Sequence, residues 1–210
     1  MHTCSIKKDG VAACVARAAE VLRRGGVIVY PTDTIYGLGA DALSDEAVAR
    51  VRQIKGRSEH KPIHAIVADL AMAEQYAVVN KPARALVKKF LPGPLTLVLK
   101  KKASVHTGIA RGLGTFGIRI PDNAFCLELA RVFKRPYTTT SANASGMEPP
   151  LTLAGIRAQL GQGADMVDLY IDDGELPARR PSTVVDVTDD APMVLREGAI
   201  AASLIESEQV

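Results

Sequence analysis

The chain has 210 residues, 47% of them hydrophobic, and its 26 basic and 23 acidic side chains leave a net charge of only +3. This length suits one domain with a sizeable core, and this charge is too small by itself to indicate a nucleic-acid-binding protein. No apolar run reaches the about 18 residues of a membrane span, and the first ten residues lack the apolar region of a signal peptide, so we expect a cytoplasmic protein without a membrane segment.

Apolar residues recur with helical or with strand periodicity along the chain. A helix predicted over residues 11–24 ends at Gly25-Gly26, and an apolar, β-branched strand follows at 27–30. Ser44 is placed to cap a second helix that runs to Lys55. The remaining predicted helices are 82–91, 123–133 and 153–160, and the remaining strands are 63–68, 95–99, 116–120, 137–140, 167–171, 183–187 and 193–195.

The mixture of helices with strands that are apolar on both faces predicts the fold class. We expect an α/β fold with a twisted, mixed and largely parallel open sheet that carries helices on its faces. Binding and catalytic residues are most often found on the loops of such folds. The polar loops of this chain are residues 31–42, 55–62, 111–115, 141–149 and 177–182.

The segment VIVYPTDTIYGLGADAL, residues 27–43, places hydrogen-bonding side chains at the end of a buried strand. Open α/β sheets bind ligands at the carboxyl ends of their strands, and Gly37 and Gly39 would let backbone approach a ligand. We interpret the segment as the wall of a small-molecule pocket. Its G-x-G-x-x-A pattern matches a dinucleotide fingerprint poorly, because six residues separate the strand from Gly37. The side chains concerned are Tyr30, Thr32, Asp33, Thr34 and Tyr36.

Three further segments carry groups that can hold an anion. Residues 55–62, KGRSEHKP, place cations around a glycine after a helix, as a phosphate site requires. Residues 138–146, TTTSANASG, are a dense run of hydroxyl and amide groups after a strand. Arg119 lies between apolar residues in a strand, and an inward-pointing arginine needs an anionic partner. The structural alternatives are a solvated helix end, a capped turn and a surface arginine.

Residue spacing disfavours metal-binding and nucleophilic sites. Cys4, Cys14 and Cys126 are far apart in the sequence and fit a reduced compartment better than a disulfide framework. The four histidines, at positions 2, 60, 64 and 106, lack the spacing of metal ligands, and there is no P-loop or nucleophile elbow. We therefore expect no metal ligands in the protein, and a site that holds anions without forming a covalent intermediate.

In this order, the segments resemble the YrdC-like family, whose best-known activity is threonylcarbamoyl-AMP synthase. The resemblance covers residues 27–198, and the combination of motifs is specific. It implies a YrdC-like fold and a nucleotidyltransferase that makes threonylcarbamoyl-AMP and pyrophosphate from L-threonine, bicarbonate and ATP with Mg²⁺, for the tRNA modification t6A37. The matching pieces are YPTDTIYGLGADA, K-x-R-x-x-x-K-P, PGPLTLVLK, GIRIP, TSANASG, PSTVVD and VLREG.

The resemblance also implies roles for individual residues. The family's catalytic tetrad falls on Lys55, Arg57, Ser141 and Asn143. L-Threonine would be held by Thr34, Arg119, Thr139 and Ser182. ATP would be surrounded by the tetrad together with Lys61, Thr115, Pro149 and Arg196.

Some features depart from the family's pattern. Certain members carry a histidine where this chain has Ile66, and His64 lies two positions earlier, so one threonine contact is unmatched. We expect a single YrdC-like domain over residues 1–210, without the additional C-terminal domain of longer members. The ending PSTVVDVTDDAPMVLREG is similar to that of YciO-type relatives, so the alternative is a protein that acts mainly by binding double-stranded RNA. Implied partners are tRNA and a downstream threonylcarbamoyl transferase complex.

Overall fold

The computed structural model describes residues 2–56 and 62–207. Within these ranges the chain forms eleven strands and eight α-helices, and none of the helices is long and apolar enough to cross a membrane. The strands are β1 His2–Ser5, β2 Ile28–Tyr30, β3 Gly37–Gly39, β4 His64–Ile66, β5 Ala77–Val78, β6 Leu95–Lys101, β7 Thr115–Arg119, β8 Tyr137–Ser141, β9 Leu169–Asp172, β10 Thr183–Asp186 and β11 Met193–Arg196. The helices are α1 Ile6–Asp9, α2 Val11–Arg23, α3 Asp45–Lys55, α4 Leu70–Tyr76, α5 Lys81–Phe90, α6 Ala124–Phe133, α7 Leu153–Leu160 and α8 Ala202–Glu206, with 3₁₀ turns at Gly108–Ala110 and Gly161–Met166.

The strands form one mixed sheet in the order β1-β9-β2-β3-β8-β4-β7-β6-β10-β11, with β5 paired to β6. The α/β class and the mixed open sheet are confirmed. Among the described strands, the parallel pairs are β1–β9, β9–β2, β4–β7 and β6–β10, and the other pairs are antiparallel. The sheet is therefore less parallel than predicted, because β3 returns directly on β2 and pairs antiparallel with β8 in the middle of the sheet.

Side chains of each strand alternate between the two faces of the sheet, and this alternation creates two separate cores. In β2, Val29 enters the larger core, which α3, α5 and α7 cover. Ile28 and Tyr30 enter the second core, which α2 and α6 cover on the opposite face. Four of the helices that cover the sheet begin at capping side chains, whereas α2 begins at Gly10. Capping groups for α3, α5, α6 and α7 are Ser44, Asn80, Asn123 and Thr152.

The same alternation leaves polar side chains on the half of the sheet that lies beyond α2 and α6. Leu95, Leu97 and Leu99 of β6 enter the larger core, as do Phe116 and Ile118 of β7. Their alternate neighbours point to the opposite face, where they line cavities instead of a core. These neighbours are Thr96 and Val98 of β6, and Thr115, Gly117 and Arg119 of β7.

Most of the predicted elements are present within a few residues of the expected bounds. The elements that the sequence did not indicate are short or lack a periodic apolar pattern: β1, α1, β3, α4, β5 and α8. Strand β3 is an example, since Gly-Leu-Gly offers a single apolar side chain and falls inside a predicted loop. Its register comes from its neighbours, because Gly37 pairs with Tyr30 of β2 and with Ser141 of β8.

Gly37 and Gly39 both make room for the ring of Tyr30 on the neighbouring strand. We expected them to admit a ligand, and Gly37 also lines the cavity described below, whereas Gly39 is not among its lining residues. A Cβ at Gly37 would lie 2.9 Å from Tyr30 Cζ, and one at Gly39 would lie 2.8 Å from Tyr30 Cε1. The buried Tyr30 hydroxyl in turn donates to the Thr138 carbonyl at 3.0 Å. The two glycines therefore hold the tyrosine that links β2 to β8.

Replacing Gly39 with alanine is expected to lower the free energy of unfolding by about 1–3 kcal/mol, because the added methyl overpacks the core against Tyr30. Urea denaturation of wild type and variant measures the difference. Gly114→Ala is the matched control, since a Cβ there meets no atom within 4 Å. A Gly39→Ala protein as stable as Gly114→Ala would contradict this account of β3.

Candidate active site

A cavity of about 260 Å³ opens on the uncovered face of the sheet, where β8, β4 and β7 lie side by side. It brings together residues that are more than 160 positions apart in the sequence, from Thr32 to Arg196. A second cavity of about 420 Å³ adjoins it and shares Pro62, His64 and Arg196. Predicted site residues in the first cavity are Thr34, Arg119, Thr139, Ser141, Asn143, Pro149, Ser182 and Arg196, and Thr115 lines the second. Arg57 and Lys61 lie outside the described residues.

Arg119 is the charged group at the base of the cavity, and it is 4% exposed. The sequence required an anionic partner for an inward-pointing arginine, and the structure provides Asp33, in an ion pair whose side chains are 5% and 8% exposed. The same Nη2 group donates to Thr34 Oγ1 at 2.9 Å. The Nε atom of Arg119 is also buried, but it meets no acceptor among the described residues. Because a buried N–H without a partner is costly, this group is available to a ligand anion.

Thr32 fixes the loop that presents Thr34 to Arg119. Its hydroxyl accepts from the backbone N–H groups of Thr34 and Ile35, both at 3.1 Å, and donates to the Ile35 carbonyl at 2.7 Å. A threonine side chain that satisfies its own turn in this way replaces backbone hydrogen bonds and stiffens the loop. The buried Thr34 hydroxyl is therefore held in place before any ligand arrives.

A second arginine, Arg196, faces the same cavity from β11. Its Nη2 group donates to the Ser182 carbonyl at 2.7 Å, and Ser182 Oγ lies 2.9 Å from Thr96 Oγ1. The pKa of the Arg196 guanidinium is lowered, first by its partial burial and then by the positive charge of Arg119. Two guanidinium groups that repel each other across one cavity favour an anion between them.

The hydroxyl run of β8 divides into structural and cavity-lining members. Thr138 faces the backbone of β3, since its hydroxyl donates to the Leu38 carbonyl at 3.1 Å and accepts from the Ala40 N–H at 2.9 Å. Thr139, Thr140 and Ser141 line the cavity. Thr138 of the threonine run thus serves strand pairing, whereas Thr139 and Thr140 form part of the polar wall of the cavity.

The tyrosine hydroxyls expected in the pocket wall are used within the protein. The Tyr30 hydroxyl is turned to β8, as described above. The Tyr36 hydroxyl donates to the Gly174 carbonyl at 2.7 Å and accepts from the Asp173 N–H at 3.1 Å. Burial raises the pKa of Tyr36 to about 12. We conclude that these two hydroxyls support the wall and leave ligand contacts to the threonines.

Lys55 lies behind the loop that follows β8, and its ammonium group holds that loop. The residue ends α3, before Gly56 in the left-handed conformation with φ 58°, and is 4% exposed. Its Nζ donates to the Asn143 carbonyl at 2.9 Å, to Asn143 Oδ1 at 3.0 Å and to the Ser141 carbonyl. Asn143 Nδ2 extends the network to the carbonyls of Ala144 and Met147. In this structure Lys55 therefore shapes residues 141–147, which the predicted role in ATP binding did not include.

His64 joins the site although the sequence gave it no role. Ile66, at the position where some relatives carry histidine, is fully buried in the second core. His64 lies two residues earlier on the same face of β4, beyond the helices, where it lines both cavities. Its ring occupies the space above Gly117, since a Cβ there would lie 2.2 Å from His64 Cδ2. Two features of the sequence mark the position of His64. The alternation along β4 places it on the same face as Ile66, and Gly117 on the neighbouring strand leaves room for its ring.

Comparison with known families supports the sequence resemblance. The family model named Sua5/YciO/YrdC, with the description "Telomere recombination", matches residues 20–198. The threonylcarbamoyl-AMP synthase of Pyrococcus abyssi is 37% identical over 90% of this chain. The match covers 55% of that protein, so the chain spans little more than half of this relative's length.

Solved structures give the same result. The crystal structure of P. abyssi Sua5 in complex with L-threonine has a TM-score of 0.87 and 33% identity, covering 99% of this chain and 60% of that one. The crystal structure of E. coli YciO has a TM-score of 0.78 and 32% identity, covering 90% of each chain.

Replacing Lys55 with methionine is expected to lower the free energy of unfolding by about 1–3 kcal/mol, because the carbonyl oxygens of the loop lose a buried donor. Backbone hydrogen exchange within residues 142–147 should accelerate at the same time, and mass spectrometry of peptic fragments measures it. Lys81→Met, on the exposed start of α5, is the control. Unchanged exchange in the Lys55 variant would show that the lysine does not hold the loop.

Proposed function

The chain belongs to the Sua5/YciO/YrdC family, and on this basis we propose that it is an L-threonylcarbamoyladenylate synthase. In this reaction L-threonine, bicarbonate and ATP give threonylcarbamoyl-AMP and pyrophosphate, for the t6A37 modification of tRNA. The observation that carries the proposal is the cavity around Arg119, whose buried Nε–H lacks an acceptor among the described residues. A relative of 33% identity with the same fold has been solved in complex with L-threonine.

Threonine would bind with its carboxylate against Arg119. An arginine gives planar, charge-assisted hydrogen bonds to a carboxylate. Arg119 lines the cavity, and its Nε–H lacks an acceptor among the described residues. The hydroxyls of Thr34, Thr139 and Ser182 surround the remaining space. Such a polar, buried site discriminates well, because a ligand without the matching groups leaves protein donors unpaired.

ATP would occupy the other side of the site, between the two cavities that share Arg196. Ser141, Asn143, Thr115 and Pro149 line this region, and Lys55 contributes positive charge and holds the loop. Arg57 and Lys61 belong to the ATP group by family position alone. The described lining residues provide one carboxylate, Asp186, whose Oδ1 already accepts two hydrogen bonds from Thr188. Since this is too few ligands for a bound cation, Mg²⁺ would arrive coordinated to the phosphates of ATP, as part of the substrate.

The reaction requires positioning and charge stabilisation more than a nucleophile from the protein. The threonine amine takes up bicarbonate with loss of water to give a carbamate, and a carbamate oxygen then attacks the α-phosphorus as pyrophosphate leaves. Negative charge accumulates on the carbamate and on the phosphoryl oxygens. Mg²⁺ neutralises part of this charge when bound. Arg196 and the donors of the 141–147 loop would stabilise the rest in a site preorganised before substrate binds.

The synthase is favoured over the alternative of a protein that mainly binds double-stranded RNA, because the family relatives named above include a threonylcarbamoyl-AMP synthase. The nucleotidyltransferase class, the use of ATP and bicarbonate, and tRNA or a downstream transferase complex as partners belong to this proposal. The cytoplasmic location and the single domain over residues 1–210 stay predictions from the sequence.

Purified protein is expected to release pyrophosphate from ATP only when L-threonine and bicarbonate are both present. Arg196→Ala should raise the KM for ATP by about tenfold, the factor expected for the loss of one charged contact. An enzyme-coupled pyrophosphate assay measures both effects. Arg131→Ala, on the exposed side of α6, is the control that should behave as wild type. Well-folded wild-type protein without threonine-dependent release would overturn the proposed function.

A further inference from the structure

Asp33 contacts the Arg119 guanidinium from the side that faces away from the substrate cavity. Arg119 lines the cavity of about 260 Å³, whereas Asp33 lines a separate cavity of about 430 Å³ on the other side of Thr34. The carboxylate of Asp33 therefore does not occupy the space of a ligand. Arg119 gives its Nη2 group to Asp33 and Thr34, while its buried Nε–H meets no acceptor among the described residues.

Asp33 is itself held at several points. Its backbone carbonyl accepts from Arg179 Nη1 at 2.7 Å, and its Oδ2 accepts from the Asp122 N–H at 3.3 Å. A carboxylate fixed through backbone and side chain cannot follow a rotating guanidinium, so it restrains the position of the Arg119 Nη2 group. The pair is buried, and such charge-assisted bonds are strong in a low-dielectric site.

We propose that Asp33 is a positioning residue, which holds Arg119 in the orientation that receives the carboxylate of the amino acid substrate. This inference rests on the proposed function, because it takes threonine as the ligand of Arg119. Without the negative charge at position 33, the guanidinium would have to be ordered by the substrate itself, and that ordering would weaken threonine binding.

Asp33→Asn tests the inference, with Asp122→Asn as the matched control. Asp122 lines the same neighbouring cavity, but it contacts Asp33 only through its backbone N–H, which the substitution keeps. We expect Asp33→Asn to raise the KM for threonine about tenfold or more and to leave the KM for ATP within about twofold. A merely structural defect would affect both substrates. In a double variant that carries Asp33→Asn and Arg119→Lys, the rise in the KM for threonine should be smaller than the product of the rises in the two single variants. The reason is that both substitutions break the same contact.

Arg179→Ala is a second variant that keeps the test valid if Asp33→Asn does not fold. Its exposed side chain holds the Asp33 carbonyl from outside, so a rise of about threefold in the KM for threonine is expected. If the wild type is active but the KM for threonine is unchanged or lowered in both variants, this inference is overturned and the proposed function stands. An inactive wild type would overturn the proposed function, and the inference with it.

A separate observation concerns two cysteines at the other end of the molecule. Cys4 of β1 and Cys14 of α2 are both fully buried, and their Sγ atoms are 2.7 Å apart. This separation is well inside the ordinary contact distance of two sulfur atoms. The third cysteine, Cys126 of α6, instead directs its Sγ to the Pro31 carbonyl at 3.3 Å. The sequence spacing gave no reason to pair Cys4 with Cys14. In the structure β1 pairs with β9, and both cysteines lie in the second core.

We infer that Cys4 and Cys14 are a site of disulfide formation that fastens the edge strand β1 to α2. With a low-molecular-weight disulfide such as glutathione disulfide as oxidant, one thiolate attacks it and releases one glutathione. The second thiolate then displaces the other glutathione, so two thiols and one disulfide give one protein disulfide and two glutathione thiols. Burial raises the pKa of Cys14 to about 12 and excludes the oxidant, so the reaction proceeds through local opening of β1.

Native protein incubated with glutathione disulfide, then denatured and alkylated, tests this inference by mass spectrometry. Oxidised wild type should be about 2 Da lighter before alkylation and should take up one alkyl group instead of three. Its melting temperature should rise by several degrees. Cys126→Ser should form the same cross-link, whereas Cys14→Ser should form none. Wild type that keeps all three free thiols would overturn the inference. Protection of Cys4 and Cys14 from alkylation by added Zn²⁺ alone would also overturn the inference. The Asp9 carboxylate lies within 4.8 Å of both sulfurs and would then be the third ligand of a metal site.

Discussion

A guanidinium group buried in a β-sheet has to be surrounded by acceptors, because an unpaired charge in a low-dielectric interior is very costly. Arg119 imposes this requirement on one end of the molecule. Asp33 and Thr34 reach it from the loop after β2, and Thr32 stiffens that loop from within. The requirement is met incompletely, since the Nε–H lacks an acceptor among the described residues. An arginine that is firmly anchored yet keeps one donor unused is what recognition of a carboxylate needs.

The position of this arginine follows from the two-sided sheet. Every second residue of β6 and β7 enters the core under α3, α5 and α7, so the alternate residues must face the other side. On that side α2 and α6 cover the half of the sheet that contains β1, β9 and β2. The polar alternates of the remaining strands are therefore left to line a cavity. The fold thus produces a site from strand geometry, and the loops after β2 and β8 supply groups around it.

Sequence reasoning predicted the members of the site better than their contacts. A buried arginine that needs an anion could be read from GIRIP, but its partner Asp33 is 86 positions away and no local pattern connects them. The contact of Gly37 and Gly39 with Tyr30 could not be predicted, because the packing of a cross-strand tyrosine depends on register, which the sequence does not state. Lys55 was identified as a functional residue, yet its hydrogen bonds to the 141–147 loop depend on how α3 meets β8. His64 was left without a role because the extent of the covering helices was not known.

The central claim is that Arg119 keeps its Nε–H for the carboxylate of the substrate. Nitrogen-15 NMR of arginine Nε–H groups tests this claim directly, with the Arg119 signal assigned by its loss in Arg119→Lys. Addition of L-threonine should shift that one signal to the position of an N–H bonded to a carboxylate, and L-threoninol, which lacks the carboxylate, should leave it in place. An Arg119 signal that does not respond to threonine, or that responds equally to threoninol, would contradict the account.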